Sequence, residues 1–331
     1  MNVAVVGAGS WGTALAIQSA RSGHRVRMWD HLPDRAAVMQ AARENARYLP
    51  GCTFPESLAV SGDLAWVLAE AVVVVEAVPS VGLREVLPAI RQHIEPGAVV
   101  VCATKGIEVD SLLTMDEILV EGLPPGQPLA TLGGPSFAKE VAMGMPTAVV
   151  IACRDSAAAH TAAEALHGGF FRVYDTDDVI GVELGAALKN VIAVACGVSD
   201  GAGLGTNARA ALITRGLSEI SRLAARRGAN PLTLMGLAGL GDLVLTCTGD
   251  LSRNRRVGLG LGRGKSLDEV LAELGQVAEG VVTARSAWQL AQREGVEMPI
   301  TEQVYRMLYE GKPVFDVLRD LAGRGRRSER G

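Results

Sequence analysis

The sequence predicts an α/β protein in which a Rossmann-type amino-terminal domain with a mainly parallel sheet precedes an all-α carboxy-terminal domain. Two observations carry this prediction: apolar strand-like runs alternate with helical segments up to about residue 180, and only helical periodicity follows. Several of these runs are apolar on both faces, which is typical of parallel strands covered by helices on both sides. The strand-like runs are 2–8, 24–30, 71–78, 98–104, 128–134 and 147–153, with 170–176 as a further candidate.

The second half of the chain carries apolar residues at three- and four-residue spacing, which is the pattern of amphipathic helices. The change falls near the acidic turn DTDDVIG at 175–181. We therefore expect two domains, residues 1–180 and residues 181–331. The predicted helices of the second domain are 182–199, 207–228, 231–238, 267–274, 280–294, 300–310 and 314–322.

Composition excludes several classes of protein. The chain has 331 residues, of which 48% are hydrophobic and 21% charged, as in a soluble globular protein of two domains. Its net charge of -4 gives no global basic surface for nucleic acid or anionic lipid. The chain begins directly with a strand, MNVAVVGAGS, and no run of about 18 apolar residues occurs. We therefore expect a cytoplasmic protein without a signal peptide or a membrane span.

The five cysteines are scattered, form no CxxC pair and do not lie near a histidine at metal-ligand spacing. We interpret them as buried thiols in a reducing compartment, and we expect no metal site. They are Cys52, Cys102, Cys153, Cys196 and Cys247.

A glycine-rich turn, Gly7-Ala8-Gly9-Ser10-Trp11-Gly12, joins the first strand to a helical segment. In this context Gly7 permits a tight turn, Gly9 allows a pyrophosphate to approach the backbone, and Gly12 allows close packing of helix on strand. The amino-terminal end of the helix then offers free N–H groups to the phosphates. The turn predicts a dinucleotide; FAD is the competing ligand, but no second flavin-binding segment follows.

An acidic residue, Asp30, ends the second predicted strand. A carboxylate at this position accepts the 2′-hydroxyl of the adenosine ribose and repels a 2′-phosphate, which favours NAD over NADP. His31 and Arg35 follow closely and could still contact a phosphate.

Lys189 lies within GAALKNVIAVACG at 185–197, a helical stretch of almost entirely small and apolar residues. Burial of an ammonium group lowers its pKa, so that the amine can exchange a proton near neutral pH. Reduction of a carbonyl needs such a proton donor at the oxygen, and Lys189 is therefore our candidate general acid–base. The alternative is a side chain that extends to the surface.

Two loops after predicted strands carry further candidates. Lys105 follows a strand in CATKGIE, and ligands of open parallel sheets bind at the carboxyl ends of the strands. Gly134 and Ser136 lie in GGPSFAKE, a turn with exposed N–H and hydroxyl donors before a helix that starts near Ala138. The alternatives are a solvated loop lysine and a plain β-turn.

The stretch GLGDLVLTCTGDLSRNRRVG at 239–258 contains two more features. Asp242 is predicted to be buried and to need a cationic partner such as Lys189. Ser252-Arg253-Asn254 is predicted to start a helix and to form a phosphate-binding site from hydroxyl, guanidinium and amide groups. The alternative is a solvated basic helix surface, which we expect for Arg255 and Arg256. Together the candidates indicate a small phosphorylated carbonyl or alcohol that a nicotinamide reduces or oxidises.

At these residues the sequence resembles the bacterial NAD(P)-dependent glycerol-3-phosphate dehydrogenases along nearly the whole chain. The resemblance implies interconversion of sn-glycerol 3-phosphate and dihydroxyacetone phosphate with NAD or NADP, supply of glycerol 3-phosphate for phospholipids, and a homodimer. The motifs that carry it are GAGSWGTA, YLPG at 48–51, CATKGIE, GGPSFAKE, LKNVIA, GLGDLVLTCTGDLSRNRRVG and VAEGV at 277–281.

The resemblance also implies roles for individual residues. Lys189 would be the general acid–base, and Lys105 and Asp242 would complete the polar site around the reacting carbon. The other implied substrate ligands are Gly134, Ser136, Ser252, Arg253 and Asn254. The implied cofactor ligands beyond the glycines are Ser10, Trp11, His31, Tyr48, Lys105, Ala138, Arg253, Val277 and Glu279. Many relatives carry a small or basic residue at the position of Asp30-His31. This departure of the sequence puts the use of NADP in doubt.

Two other functions fit parts of the sequence. A β-hydroxyacid dehydrogenase shares a Rossmann-plus-helical plan and a helix lysine, but it binds a carboxylate instead of a phosphate. A redox sensor that binds NAD(H) and a protein partner requires the glycine-rich turn but not Lys189, Asp242 or the Ser-Arg-Asn segment.

Overall fold

The computed structural model describes residues 1–325, and all predicted strands, including the further candidate, are present as strands of one sheet. Central strands are buried on both faces, as the continuous apolar runs predicted. The strands are β1 Asn2–Val6, β2 Arg25–Trp29, β3 Leu58–Ser61, β4 Val73–Glu76, β5 Val99–Cys102, β6 Leu129–Gly133, β7 Thr147–Ala152 and β8 Phe171–Thr176.

The sheet has the strand order β3-β2-β1-β4-β5-β6-β7-β8, and only the β6–β7 pair is antiparallel. The prediction of a mainly parallel sheet is confirmed. Strand β3 was not predicted, because its four residues, LAVS, are too few for a clear periodic signal. The strand order reverses at β1, which lies between β2 and β4, and ligands of open parallel sheets bind at the carboxyl ends of the strands at such a point.

Helices cover both faces of this sheet, and each face has its own apolar core. The helices of this part of the chain are α1 Ser10–Arg21, α2 Pro33–Ala42, α3 Leu64–Leu68, α4 Leu83–His93, α5 Met115–Gly122, α6 Ala138–Ala142 and α7 Ser156–Glu164.

The remainder of the described chain is helical, as predicted, and no strand occurs between residues 178 and 325. The predicted helix 231–238 ends earlier and is followed by a wider π-helical turn, Leu237–Gly241. Residues 326–331 of the predicted second domain lie outside the described residues. The helices are α8 Val179–Gly201, α9 Gly205–Arg226, α10 Pro231–Met235, α11 Asp242–Thr248, α12 Arg253–Gly262, α13 Leu267–Leu274, α14 Glu279–Glu294, α15 Pro299–Tyr309 and α16 Val314–Ala322.

Helix α8 runs through the centre of the helical part and is buried along most of its length. By length and apolar composition alone it could cross a membrane, a feature that the sequence analysis did not expect. However, 83% of its most apolar window is buried inside the protein. Such burial is typical of the core helix of a globular domain.

Helices α8 and α12 approach so closely that their backbones are in contact. A Cβ added at Gly197 would lie 2.1 Å from the Arg255 carbonyl oxygen, and one at Gly258 would lie 2.0 Å from that of Val194. Glycine is therefore required on both sides of the crossing. The crossing places the amino-terminal end of α12 beside the middle of α8.

We expect Gly258→Ala to lower the free energy of unfolding by about 1–3 kcal/mol or more, because the added methyl group forces two backbones apart. Alanine would otherwise gain about 1 kcal/mol from its helix propensity. Urea unfolding of the variant measures the difference. Gly236→Ala is the matched control, since Gly236 is exposed and its nearest atom would be 3.4 Å away. Equal losses for the two variants would contradict this interpretation of the crossing.

Candidate active site

The glycine-rich turn between β1 and α1 has the geometry that a dinucleotide needs. Gly7 has φ +116°, and a Cβ there would lie 2.6 Å from the Ala77 carbonyl oxygen. A Cβ at Gly12 would lie 1.9 Å from the Gly7 carbonyl oxygen, whereas at Gly9 no atom lies within 4 Å. Gly7 and Gly12 are thus required by the fold, and Gly9 leaves open space beside the first turn of α1. These residues fit the pyrophosphate of NAD or NADP.

Asp30 lies at the end of β2, but its carboxylate is turned inward and its side chain is fully buried. Oδ1 accepts the N–H of Leu32 at 2.9 Å, and Oδ2 forms an ion pair with Nε of Arg35 at 2.7 Å. The predicted contact of Asp30 with a ribose hydroxyl stays a prediction, since this carboxylate is engaged within the protein. Arg35, the third residue of α2, thus holds the Asp30 carboxylate in this structure.

The polar surface beside the end of β2 is formed by the side chains of Arg35, His31 and Tyr48. Nη1 of Arg35 lies 3.4 Å from the Tyr48 hydroxyl, and its guanidinium carbon lies 5.4 Å from the centre of the Tyr48 ring. Nη2 of Arg35 lies 3.4 Å from Nδ1 of His31, whose side chain is 63% exposed. A guanidinium held over an aromatic ring can contact a phosphate or stack on an adenine.

We expect Asp30→Ala to raise the ratio of kcat/KM with NADPH to that with NADH, because it removes a negative charge and releases Arg35. Initial rates with both cofactors measure the ratio. Asp34→Ala removes an exposed charge nearby and should leave the ratio unchanged. An unchanged ratio in Asp30→Ala would mean that neither Asp30 nor Arg35 influences the adenosine end of the cofactor.

Lys189, Asp242 and Lys105 form a buried cluster of charges. Nζ of Lys189 forms an ion pair with Oδ1 of Asp242, and Nζ of Lys105 lies 3.4 Å from Oδ2 of the same carboxylate. The Lys189 side chain is 7% exposed and that of Lys105 is 16% exposed. Lys189 therefore does not extend into solvent, and Lys105 is not a solvated loop lysine. Lys105 also lies 5.8 Å from the centre of the Trp11 ring, so the cluster adjoins the glycine-rich turn.

The environment of Lys189 lowers the pKa of its amine from 10.5 to about 7. Burial is the main cause, because it penalises the charged ammonium; Asp242 opposes this effect and Lys105 adds to it. An amine with this pKa can both give up and take up a proton at neutral pH.

Asp242 begins α11 directly after the π-helical turn Leu237–Gly241, an irregularity that is common at functional sites. The hydroxyl of Thr246, one turn later in α11, donates to the backbone carbonyl of Asp242 at 2.6 Å. The ring of Pro135 lies 3.6 Å from where a Cβ of Gly241 would be, so the turn after β6 packs against this segment.

In that turn after β6, Gly134 has φ +117°, and the hydroxyl of Ser136 donates to its carbonyl oxygen at 3.0 Å. The helix α6 starts at Ala138, as the sequence predicts. The structure thus brings Gly134 and Ser136 to the same region as Asp242.

The segment Ser252-Arg253-Asn254 starts α12, as predicted. Ser252 is the N-cap residue, and its Oγ accepts the N–H of Arg255 at 3.2 Å. The side-chain amide of Asn254 connects two helices: it donates to Oδ1 of Asn190 on α8 and accepts the N–H of Gly280 on α14, each at 2.9 Å. One amide proton of Asn254 remains available for a ligand.

Arg255 corrects one expectation from the sequence. Its guanidinium is not solvated but forms ion pairs with Asp200 at 2.7 Å and with Asp250 at 2.8 Å, and its side chain is only 11% exposed. The sequence could not show this pairing, because Asp200 lies on α8, far away along the chain. Arg256 is exposed, as expected.

Glu279, the first residue of α14, connects the helical part to the sheet. Its carboxylate accepts the backbone N–H of Ser80 at 3.3 Å and the hydroxyl of Ser80 at 2.5 Å. Burial raises the pKa of Glu279, while Ser80 and Arg253 oppose the shift. Burial lowers the pKa of Arg253, and Glu279 opposes that shift. Val277 is largely exposed just before α14.

Comparison with known proteins shows the family. The model of the NAD-dependent glycerol-3-phosphate dehydrogenase N-terminus matches residues 2–159, and that of the C-terminus matches residues 178–319. The chain belongs to the NAD-dependent glycerol-3-phosphate dehydrogenase family. It is thus an oxidoreductase that uses a nicotinamide dinucleotide, and the resemblance seen in the sequence is confirmed.

Individual relatives are similar to this chain over nearly their full length. Glycerol-3-phosphate dehydrogenase [NAD(P)+] of Anaeromyxobacter sp. (strain K) is 56% identical over 94% of each chain. That of Chlorobium luteolum is 49% identical over 100% of each chain. The crystal structure of glycerol-3-phosphate dehydrogenase from Coxiella burnetii superposes with a TM-score of 0.93 at 45% identity, covering 98% of this chain and 99% of that one.

Two residues around the charge cluster were not assigned a role from the sequence. The side chain of Asn190 accepts a hydrogen bond from the amide of Asn254, and the hydroxyl of Thr246 donates to the backbone carbonyl of Asp242. The only signal for Asn190 was its polarity in an apolar helix, directly beside Lys189. Residues 1–325 contain no group of three or more His, Cys, Asp or Glu side chains that could hold a metal ion.

Proposed function

We propose that the protein interconverts sn-glycerol 3-phosphate and dihydroxyacetone phosphate, with Lys189 as the general acid–base. One observation carries the proposal: a buried amine, paired with Asp242, adjoins the glycine-rich turn through Lys105 and Trp11. Reduction of a carbonyl needs a proton donor at the oxygen as the hydride arrives at the carbon. NAD(P)H, when bound, supplies the hydride.

In the direction of reduction, the ammonium of Lys189 donates a proton to the C2 oxygen of dihydroxyacetone phosphate. In the direction of oxidation, the neutral amine takes the proton of the C2 hydroxyl. Asp242 keeps the amine in place and stabilises its charged form, while Lys105 provides a second positive charge near the same oxygen.

The phosphate is assigned to the amino-terminal end of α12, where Ser252, Arg253 and the free amide proton of Asn254 can donate. Gly134 and Ser136 would hold the substrate from the turn after β6. This part of the proposal distinguishes the protein from a β-hydroxyacid dehydrogenase, whose ligand carries a carboxylate.

The proposed cofactor ligands are those of the glycine-rich turn and of the surfaces around it. Val277 and Glu279 would contact the cofactor from the helical part. Among residues near β2, Asp30 stays in the proposed set, and Arg35, which forms an ion pair with it, joins the set. The other proposed ligands are Gly7, Gly9, Ser10, Trp11, Gly12, His31, Tyr48, Lys105, Ala138 and Arg253.

Further expectations follow from the family and from the order of elements. We infer a division into residues 1–180 and 181–331, supported by the end of β8 at Thr176 and the start of α8 at Val179. A homodimer and a supply of glycerol 3-phosphate for phospholipids remain predictions from the resemblance, and the cytoplasmic location remains a prediction from the sequence.

Initial rates test the proposed reaction. The purified protein is assayed with dihydroxyacetone phosphate and with each of NADH and NADPH, beside a panel of 2- and 3-oxo acids. We expect turnover of dihydroxyacetone phosphate with both cofactors or with NADH alone, and no comparable turnover of the acids. Activity confined to the oxo acids would overturn the substrate assignment.

A further inference from the structure

Glu76, the last residue of β4, carries a buried carboxyl group that the proposed reaction does not use. The residue is 0% exposed and pairs in the sheet with Val6 of β1 and Cys102 of β5. A carboxyl group at the centre of a sheet is costly unless its hydrogen bonds compensate for the lost water. Burial raises the pKa of Glu76 to about 7, against the effect of its hydrogen bonds to Val78 and Thr104.

The hydrogen bonds of Glu76 reach two different loops. Oε1 accepts the backbone N–H of Val78 at 2.7 Å and the hydroxyl of Thr104 at 2.9 Å. The Thr104 hydroxyl also contacts the carbonyl oxygen of Val78. Oε2 has no hydrogen-bond partner in residues 1–325. One carboxyl oxygen thus joins the loop after β4 to the loop after β5.

Each of these loops makes a polar contact with the helical part of the protein. The loop after β4 contains Ser80, which donates to Glu279, and the loop after β5 contains Lys105, which pairs with Asp242. The loops also touch each other, since a Cβ at Gly106 would lie 3.0 Å from the Cβ of Ser80. The position of one loop therefore depends on that of the other.

We propose that Glu76 is a positioning residue for the reaction: its carboxyl group ties the loop after β4 to the loop after β5 and so places Lys105 against Asp242. This inference rests on the proposed role of Lys105. It gives a reason for a polar side chain at a position where an apolar one would pack at lower cost.

A double-mutant cycle tests the inference. Glu76→Met keeps the volume of the side chain and removes both oxygens. We expect it to lower kcat/KM for dihydroxyacetone phosphate by about tenfold, the equivalent of one lost hydrogen bond of about 1.4 kcal/mol. Glu76→Gln, which keeps an acceptor oxygen, should restore most of the loss. In a Lys105→Met background, Glu76→Met should have almost no further effect, because the group that it positions is gone.

The outcomes separate this inference from the proposed function. If Lys105→Met alone leaves kcat/KM unchanged, the role of Lys105 is wrong, and the positioning role of Glu76 is overturned with it. If Lys105→Met impairs the enzyme but the two losses multiply, only the positioning role is overturned. Failure of the Gln variant to recover activity, with an intact fold, also contradicts it.

Two further variants guard against a general loss of stability. Thr104→Val removes the hydroxyl that donates to Glu76 and should also lower kcat/KM. It therefore tests the inference even if Glu76→Met does not fold. Thr131→Val is the matched control: its buried hydroxyl lies in the neighbouring strand β6 and donates to Glu183 on α8 at 3.1 Å, a hydrogen bond that involves neither loop. Thr131→Val should lower the free energy of unfolding but leave kcat/KM unchanged. An equal loss of kcat/KM in Thr104→Val and Thr131→Val would indicate a structural effect only and would overturn the inference.

Discussion

Replacement of Lys189 by methionine should lower kcat for the reduction of dihydroxyacetone phosphate by about 10²–10⁴-fold, the usual contribution of a general acid. Methionine fills the same buried space but cannot donate a proton. Steady-state kinetics of the variant measure the loss. Lys139→Met is a suitable control, because Lys139 is exposed on α6 and should be replaceable without loss of activity. A decrease of only a few-fold in the Lys189 variant would rule out Lys189 as the proton donor.

The pH dependence of the wild-type rate should report the titration of Lys189. Because reduction needs the charged amine and the pKa of Lys189 is about 7, the rate of reduction should fall as the pH rises through this value. Oxidation needs the neutral amine, so its rate should rise over the same range. Lys189→Met should lack this pH dependence in both directions.

Replacement of Asp242 by asparagine should have the second large effect. Asp242 is the acidic partner of both Lys189 and Lys105, and breaking a buried ion pair by removing one charge costs about 3–5 kcal/mol of stability. Because Asp242 raises the pKa of Lys189, its loss should lower that pKa further. At a pH above this pKa, each unit by which the pKa of Lys189 falls lowers the charged fraction of the amine about tenfold.

Two measurements check the Asp242 variant. Urea unfolding should show the loss of stability, and the pH profile of reduction should shift towards lower pH. Asp250→Asn is the control: its side chain is 97% exposed and its ion pair with Arg255 should contribute at most about 1 kcal/mol. A pH profile of Asp242→Asn that coincides with that of the wild type would show that Asp242 does not act on Lys189.

Much of the fold could be predicted because its signals are local. The strand-like runs, the glycine-rich turn and the helical periodicity each lie within about ten to twenty residues, and period and turn chemistry determine them. Two elements were not predicted: α11, a helix of seven residues, and β3, an edge strand of four residues. Its short run carries no periodic pattern that would separate it from a loop.

The candidate site could be predicted only in part. That Lys189 is buried follows from its apolar helix, and the need of Asp242 for a cation follows from its apolar surroundings. By contrast, nothing in the residues around Asp30 shows whether its carboxylate faces a ribose or turns inward to Arg35. Both arrangements satisfy the same sequence pattern.

The sequence by itself determined the class of fold, the dinucleotide turn and the kinds of side chain that the reaction needs. Only the tertiary structure decided which of these side chains meet: Lys189 with Asp242, Arg255 with Asp200, and Glu76 with the loop that carries Lys105. The physical reason is the separation along the chain of the residues that interact. Backbone conformation and burial follow from neighbours along the chain, whereas the pairing of buried charges depends on distant segments that the hydrophobic core brings together.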